Sequence, residues 1–114
     1  MNVQAQHDPK NEAEITYWNS AGGRRWVERQ QSQDIVLGSI LQATLERAQV
    51  RQGERVVDIG CGTGASSIAL AERIGPTGEV LGIDVSAPML ARCRALAAGS
   101  PDQIRTRRRN DLSV

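Results

Sequence analysis

Val56-Val57-Asp58-Ile59-Gly60-Cys61-Gly62-Thr63-Gly64 is the stretch on which the fold turns. Val56, Val57 and Ile59 are β-branched or apolar and predict a buried strand. Three glycines follow at alternate positions, and Ala65 to Ile74 reads as a helix. A strand, a glycine turn and a helix N-terminus together cradle a polar or anionic ligand group. Glycine lets the backbone turn sharply and come close to that ligand, where a Cβ would intrude. With strand and helix flanking it in the right order, the pattern points to a nucleotide-like cofactor.

A second acidic residue, at a strand tip downstream, supports this. Glu79-Val80-Leu81-Gly82-Ile83-Asp84 predicts a second strand with Asp84 at its C-terminal tip. In a right-handed βαβ unit two such strand ends lie side by side. A carboxylate there can accept two hydrogen bonds from a ribose diol.

Gly60-x-Gly62-x-x-Ala65 also fits the dinucleotide fingerprint, so NAD or FAD stays open as an alternative. Asp58 favours another ligand. It stands two residues before the first glycine, where a carboxylate faces the cofactor and repels a pyrophosphate. A sulfonium or an ammonium would be welcome there. Gly64 adds a third permissive position.

These residues resemble motif I of class I S-adenosylmethionine-dependent methyltransferases. Val80 to Ser86, followed by Met89-Leu90, resembles their second-strand segment. Tyr17-Trp18-Asn19 and Trp26-Val27 are similar to the N-terminal cover of small-molecule methyltransferases of the ubiquinone/menaquinone-biosynthesis type. The resemblance runs from about Thr16 to Ala98. It implies S-adenosyl-L-methionine as cofactor, a small-molecule methyl acceptor and a Rossmann-like α/β fold. It implies that Asp58, Gly60 and Gly62 line the methionine end, with Cys61 contributing its backbone. Gly64 would let the helix approach, Asp84 would bind the ribose hydroxyls, and Val85 and Met89 would pack on the adenine. Met89 fits plain core packing equally well. No residue can be named as a catalytic base. Asp84→Ala is expected to leave the fold nearly intact while weakening cofactor binding.

Composition narrows the rest. The 114 residues suffice for one small domain with a core. Fourteen Lys and Arg nearly balance 13 Asp and Glu, so no global field favours nucleic acid. Cys61 and Cys93 form no CxxC pair and are expected as free thiols in a reducing, cytoplasmic setting. Residues 1–10 lack the apolar run of a secretory signal, and no stretch is suited to span a membrane. No metal site is expected. The aromatic residues Tyr17, Trp18 and Trp26 cluster near the N-terminus, as core or as a lid over the cofactor.

The expected organisation is a disordered tail at 1–11, which holds the lone His7, and a helical cover at 12–54. A Rossmann-like half follows at 55–104, then an arginine-rich tail at 105–114. Within the cover, a short helix at 12–20 is broken by Gly22-Gly23. A helix at 33–49 carries Leu37, Ile40, Leu41, Thr44, Leu45 and Ala48 on one face. Gly75-Pro76 stops the helix after the glycine turn. Ser86 caps the next helix, with Pro88 in its first turn and Met89, Leu90, Cys93, Leu96 and Ala97 buried.

A third strand should then follow. Residues 105–109 instead hold four arginines in five positions, which a buried parallel strand does not accommodate. They are expected as a solvated tail, and the family's acidic adenine contact at Asp111 is placed in doubt. The sheet is therefore expected to be incomplete, with the first strand at an edge prone to self-association. This predicts the cofactor-binding half of a methyltransferase as a truncated or frameshifted product, marginally stable and without turnover.

Overall fold

The structure is a computed structural model that describes residues 8–99 and 103–109; His7 and Asp111 lie outside them. Three strands form a parallel sheet in the order β1-β2-β3: β1 at Arg55–Ile59, β2 at Glu79–Asp84 and β3 at Ile104–Arg108. Five helices accompany them: α1 Glu12–Trp18, α2 Ala21–Glu28, α3 Gln30–Ala48, α4 Ala65–Ile74 and α5 Ala87–Leu96.

The register aligns one apolar row, Val56 beside Val80 beside Ile104. Leu70, Ala71 and Ile74 of α4 pack on this row, together with Leu45 of α3 and Ala97 at the end of α5. Val80 and Ile74 are fully buried there. The strands' other face carries Val57 and Ile59, which are 56% and 82% exposed. So β1 is not the fully buried strand that its residues predict. It lies at the sheet edge, where Val56 is partly buried and its neighbours Arg55 and Val57 are exposed.

Turn chemistry fixes the crossovers. Gly75 caps α4 at φ +73°, and Gly53 at φ +81° donates its N–H to the Ile74 carbonyl. Ser86 caps α5, its hydroxyl accepting from the Met89 N–H. Met89, Leu90 and Cys93 are buried as expected, while Leu96 is partly exposed.

Four expectations need correction. The arginine run is not a tail at its start: residues 104–108 form β3. An edge strand tolerates them because only alternate side chains face the core. Ile104 is buried, Arg105 points to solvent and bridges Glu79, and Thr106 accepts from Arg94. Gly22-Gly23 does not break a helix but opens α2. A Cβ on Gly23 would stand 2.0 Å from the Trp18 carbonyl oxygen, so glycine is what allows α1 and α2 to turn on each other. Helix α3 begins at Gln30, and its predicted apolar face is only partly covered. Leu45 is buried, whereas Ile40 is 64% exposed. Finally, Pro9–Asn11 form a 3-10 turn capped by the Asp8 carboxylate rather than an unstructured end.

Candidate functional site

The ends of β1 and β2 meet over the glycine turn. After Ile59 the chain leaves the sheet, and the N–H groups of Gly60 and Cys61 both donate to the Ile83 carbonyl, at 2.7 and 3.1 Å. Gly60, Gly62 and Gly64 adopt φ of +75°, +56° and +98°, a region that costs other residues about 1–2 kcal/mol. Their surroundings differ. A Cβ on Gly60 would meet nothing within 4 Å, so this backbone faces open space. A Cβ on Gly62 would come within 2.9 Å of the Met89 methyl, and one on Gly64 within 2.5 Å of the Cys93 sulfur. Gly64 therefore lets α5 approach the turn, and Gly60 leaves room in front of it.

The two carboxylates are held by their neighbours. Asp58 Oδ2 accepts from the hydroxyls of Ser66 and Ser67, at 2.6 and 2.7 Å, on the first turn of α4. Asp84 Oδ2 accepts from the Gly62 N–H at 2.8 Å, and its Oδ1 accepts from the Ser86 N–H at 2.9 Å. Asp84 thus ties the tip of β2 to the glycine turn before any ligand arrives. Its removal is therefore expected to cost the fold as well, where the sequence alone suggests a nearly neutral change. Each Asp84 oxygen keeps a second lone pair, and Asp58 Oδ1 accepts from neither serine, so accepting from a ligand remains open.

A cavity of about 610 Å³ opens above this arrangement. That volume lies within the usual range for small-molecule and cofactor sites. Asp58, Gly60, Cys61, Gly62, Asp84, Val85 and Met89 all line it. Of the cofactor residues singled out from sequence, Gly64 alone does not, in keeping with its packing role, and of the three aromatic residues Tyr17 does not line it either.

The opposite wall comes from the N-terminal helices. Trp18, Trp26, Leu37, Ile40 and Leu41 line it, with Gln33, Asp34 and Thr44 among them. Trp18 meets both Tyr17 and Trp26 edge-to-face. This wall is fastened to the cofactor side by contacts that sequence reasoning missed. Asn19 donates to the carbonyls of Ile15 and Val85 and accepts from the Ala87 N–H. The Ser86 hydroxyl donates to the Trp18 carbonyl. Ser66 and Ser67 were also missed. Nothing in the sequence marks an ordinary serine or asparagine as the partner of one particular carboxylate or carbonyl.

Cys61 and Cys93 are buried free thiols. A hydrogen bond with Cys93 and burial push the Cys61 thiol well up, with Asp58 and Asp84 adding to the shift. Cys61 is thereby held as a neutral thiol. Among the described residues no cluster of His, Cys, Asp or Glu suits a metal ion, and no helix is long and apolar enough to cross a membrane.

Comparison with known proteins bears on this geometry. A family model for a methyltransferase domain matches residues 56–112. Demethylmenaquinone methyltransferase from Geobacillus sp. (strain WCH70) is 49% identical over 47 residues, 41% of this chain and 20% of that protein. The Staphylococcus aureus (strain JH9) protein of the same name is 56% identical over 41 residues, 36% of this chain and 17% of that protein. The chain thus matches about a fifth of the length of these curated relatives. In structure, a cyclopropane-fatty-acyl-phospholipid synthase-like protein from Lactobacillus casei superimposes with a TM-score of 0.58 at 28% identity. That superposition covers 92% of this chain and 40% of the other. Motif, partial Rossmann-like sheet and family match agree, and the chain belongs to the class I S-adenosylmethionine-dependent methyltransferases.

Proposed function

We propose that this chain binds S-adenosylmethionine in the cavity above the glycine turn and presents it to a small-molecule methyl acceptor. One observation carries the reading. The Gly60 backbone stands at positive φ with open space where a Cβ would be, in a cavity that Asp58 and Asp84 also line. A ligand can approach such a backbone closely only if the residue is glycine.

The residues suit this cofactor. Asp84, oriented by Gly62 and Ser86, keeps acceptor capacity for a ribose diol. Asp58, fixed by two serine hydroxyls, sets negative charge near the turn. That charge favours a cationic ligand and disfavours a pyrophosphate. Val85 and Met89 offer an apolar surface for a flat base. When bound, the cofactor supplies a sulfonium methyl group. The chain's part is to bind and orient, and to hold the acceptor under the Trp18–Trp26 wall; in such transfers alignment supplies much of the rate. The match to demethylmenaquinone methyltransferases supports a small-molecule acceptor.

Affinity chromatography tests the reading. The chain is expected to be retained on immobilised adenosylhomocysteine, released by free adenosylhomocysteine, and to pass through a nucleotide-phosphate resin. Gly62→Val is expected to pass through both. Retention on the nucleotide-phosphate resin alone would instead favour the dinucleotide alternative.

A further inference from the structure

The α3 wall of the cavity holds an unsatisfied group. Gln33 lines the cavity, and its Oε1 is buried with no hydrogen-bond partner among the described residues. A buried acceptor left unpaired is costly, so it gains by meeting a donor. The terminal torsion of a glutamine side chain is broad, so rotation about it can present Oε1 to the cavity that the residue lines.

Charge defines what kind of donor fits. Asp34, Asp58 and Asp84 are the charged residues among those lining the cavity, and all are acidic. Asp34, next to Gln33, is held by the Gln30 side-chain amide, and Gln30 in turn accepts from Arg92. The surface around Gln33 is apolar, built from Trp26, Leu37, Ile40 and Leu41. An anionic molecule is repelled by this wall, and a wholly apolar one leaves Oε1 unpaired.

From this we infer that Gln33 is a specificity-determining residue of the acceptor side, selecting an uncharged apolar molecule that presents a hydroxyl to its side-chain oxygen. The inference rests on the proposed cofactor site only for which part of the cavity remains for the acceptor.

The test uses the full chain and three probes of similar shape: p-cresol, p-xylene and p-toluate. Each is titrated into isotope-labelled protein, with and without adenosylhomocysteine, and read from the Gln33 side-chain amide and neighbouring resonances. The expected order is p-cresol tighter than p-xylene by about fivefold, the worth of one neutral hydrogen bond, with p-toluate weakest. Gln33→Met should abolish the preference, so that p-cresol and p-xylene bind that variant equally. Gln33→Glu, which keeps an acceptor oxygen, should preserve it. Circular dichroism of each variant checks the fold. Equal affinity for p-cresol and p-xylene, tight binding of p-toluate, no shift near Gln33, or a preference that survives Gln33→Met would each overturn the inference. A chain that ignores adenosylhomocysteine but still prefers p-cresol through Gln33 would support it and defeat the cofactor reading instead.

Discussion

Asp84→Ala is the most informative single change, because the carboxylate serves the fold as well as the site. It accepts from two backbone N–H groups, those of Gly62 and Ser86, and both residues are buried. Truncation leaves both donors without a partner. At about 1–3 kcal/mol for each orphaned group the ceiling is about 6 kcal/mol. Asp84 itself is half-buried, so water recovers part of that loss, and we expect a cost of about 2–4 kcal/mol. Asp84→Asn keeps one carbonyl oxygen but turns an NH₂ toward the other donor, and should cost about half as much. Urea denaturation followed by far-ultraviolet circular dichroism gives both values. Calorimetry on the folded variants should show adenosylhomocysteine affinity falling in the same order. Stability of Asp84→Ala within about 0.5 kcal/mol of the parent, the range of ordinary surface changes, would refute the tethering role. Unchanged affinity would remove Asp84 from the site.

The glycines of the turn should separate by role. Gly64→Ala meets both positive φ and the Cys93 sulfur, and should cost about 2–4 kcal/mol in denaturation, part of it recovered by adding Cys93→Ala. Gly60→Ala meets open space and should cost only about 1–2 kcal/mol, yet lose adenosylhomocysteine binding in a calorimetric titration. Replacing Ser66 and Ser67 together by alanine strips Asp58 of both hydroxyl donors; it should destabilise the chain by about 2–4 kcal/mol, more than either single change by the same denaturation measurement. Iodoacetamide should modify Cys61 and Cys93 slowly in the folded chain and fast in urea, by mass spectrometry, because both thiols are buried.

Local chemistry made much of the cofactor side readable. β1, α4 and β2 end where β-branched runs, Gly75 and Asp84 place them, and the Ser86 cap of α5 follows from its own residues. What failed to show was set by partners distant in sequence. β3 was hidden because arginine describes a strand's exposed face as well as it describes a tail, and only pairing with β2 decides between them. Gly22-Gly23 reads as a helix breaker until the Trp18 carbonyl and Ser86 hydroxyl that crowd Gly23 are known. The stripe on α3 predicts a buried face, but Leu37 and Ile40 line a cavity instead. Asn19 and Gln33 carry no local signature, since their meaning lies in what they reach or fail to reach.

An amide shift map of the labelled chain, titrated with adenosylhomocysteine and separately with a nicotinamide dinucleotide, tests the cofactor site most directly. Adenosylhomocysteine should move Gly60, Cys61, Gly62, Asp84, Val85 and Met89 together, and the dinucleotide should leave them in place. Movement of these residues by the dinucleotide, with none by adenosylhomocysteine, would contradict the assignment of this cavity to S-adenosylmethionine.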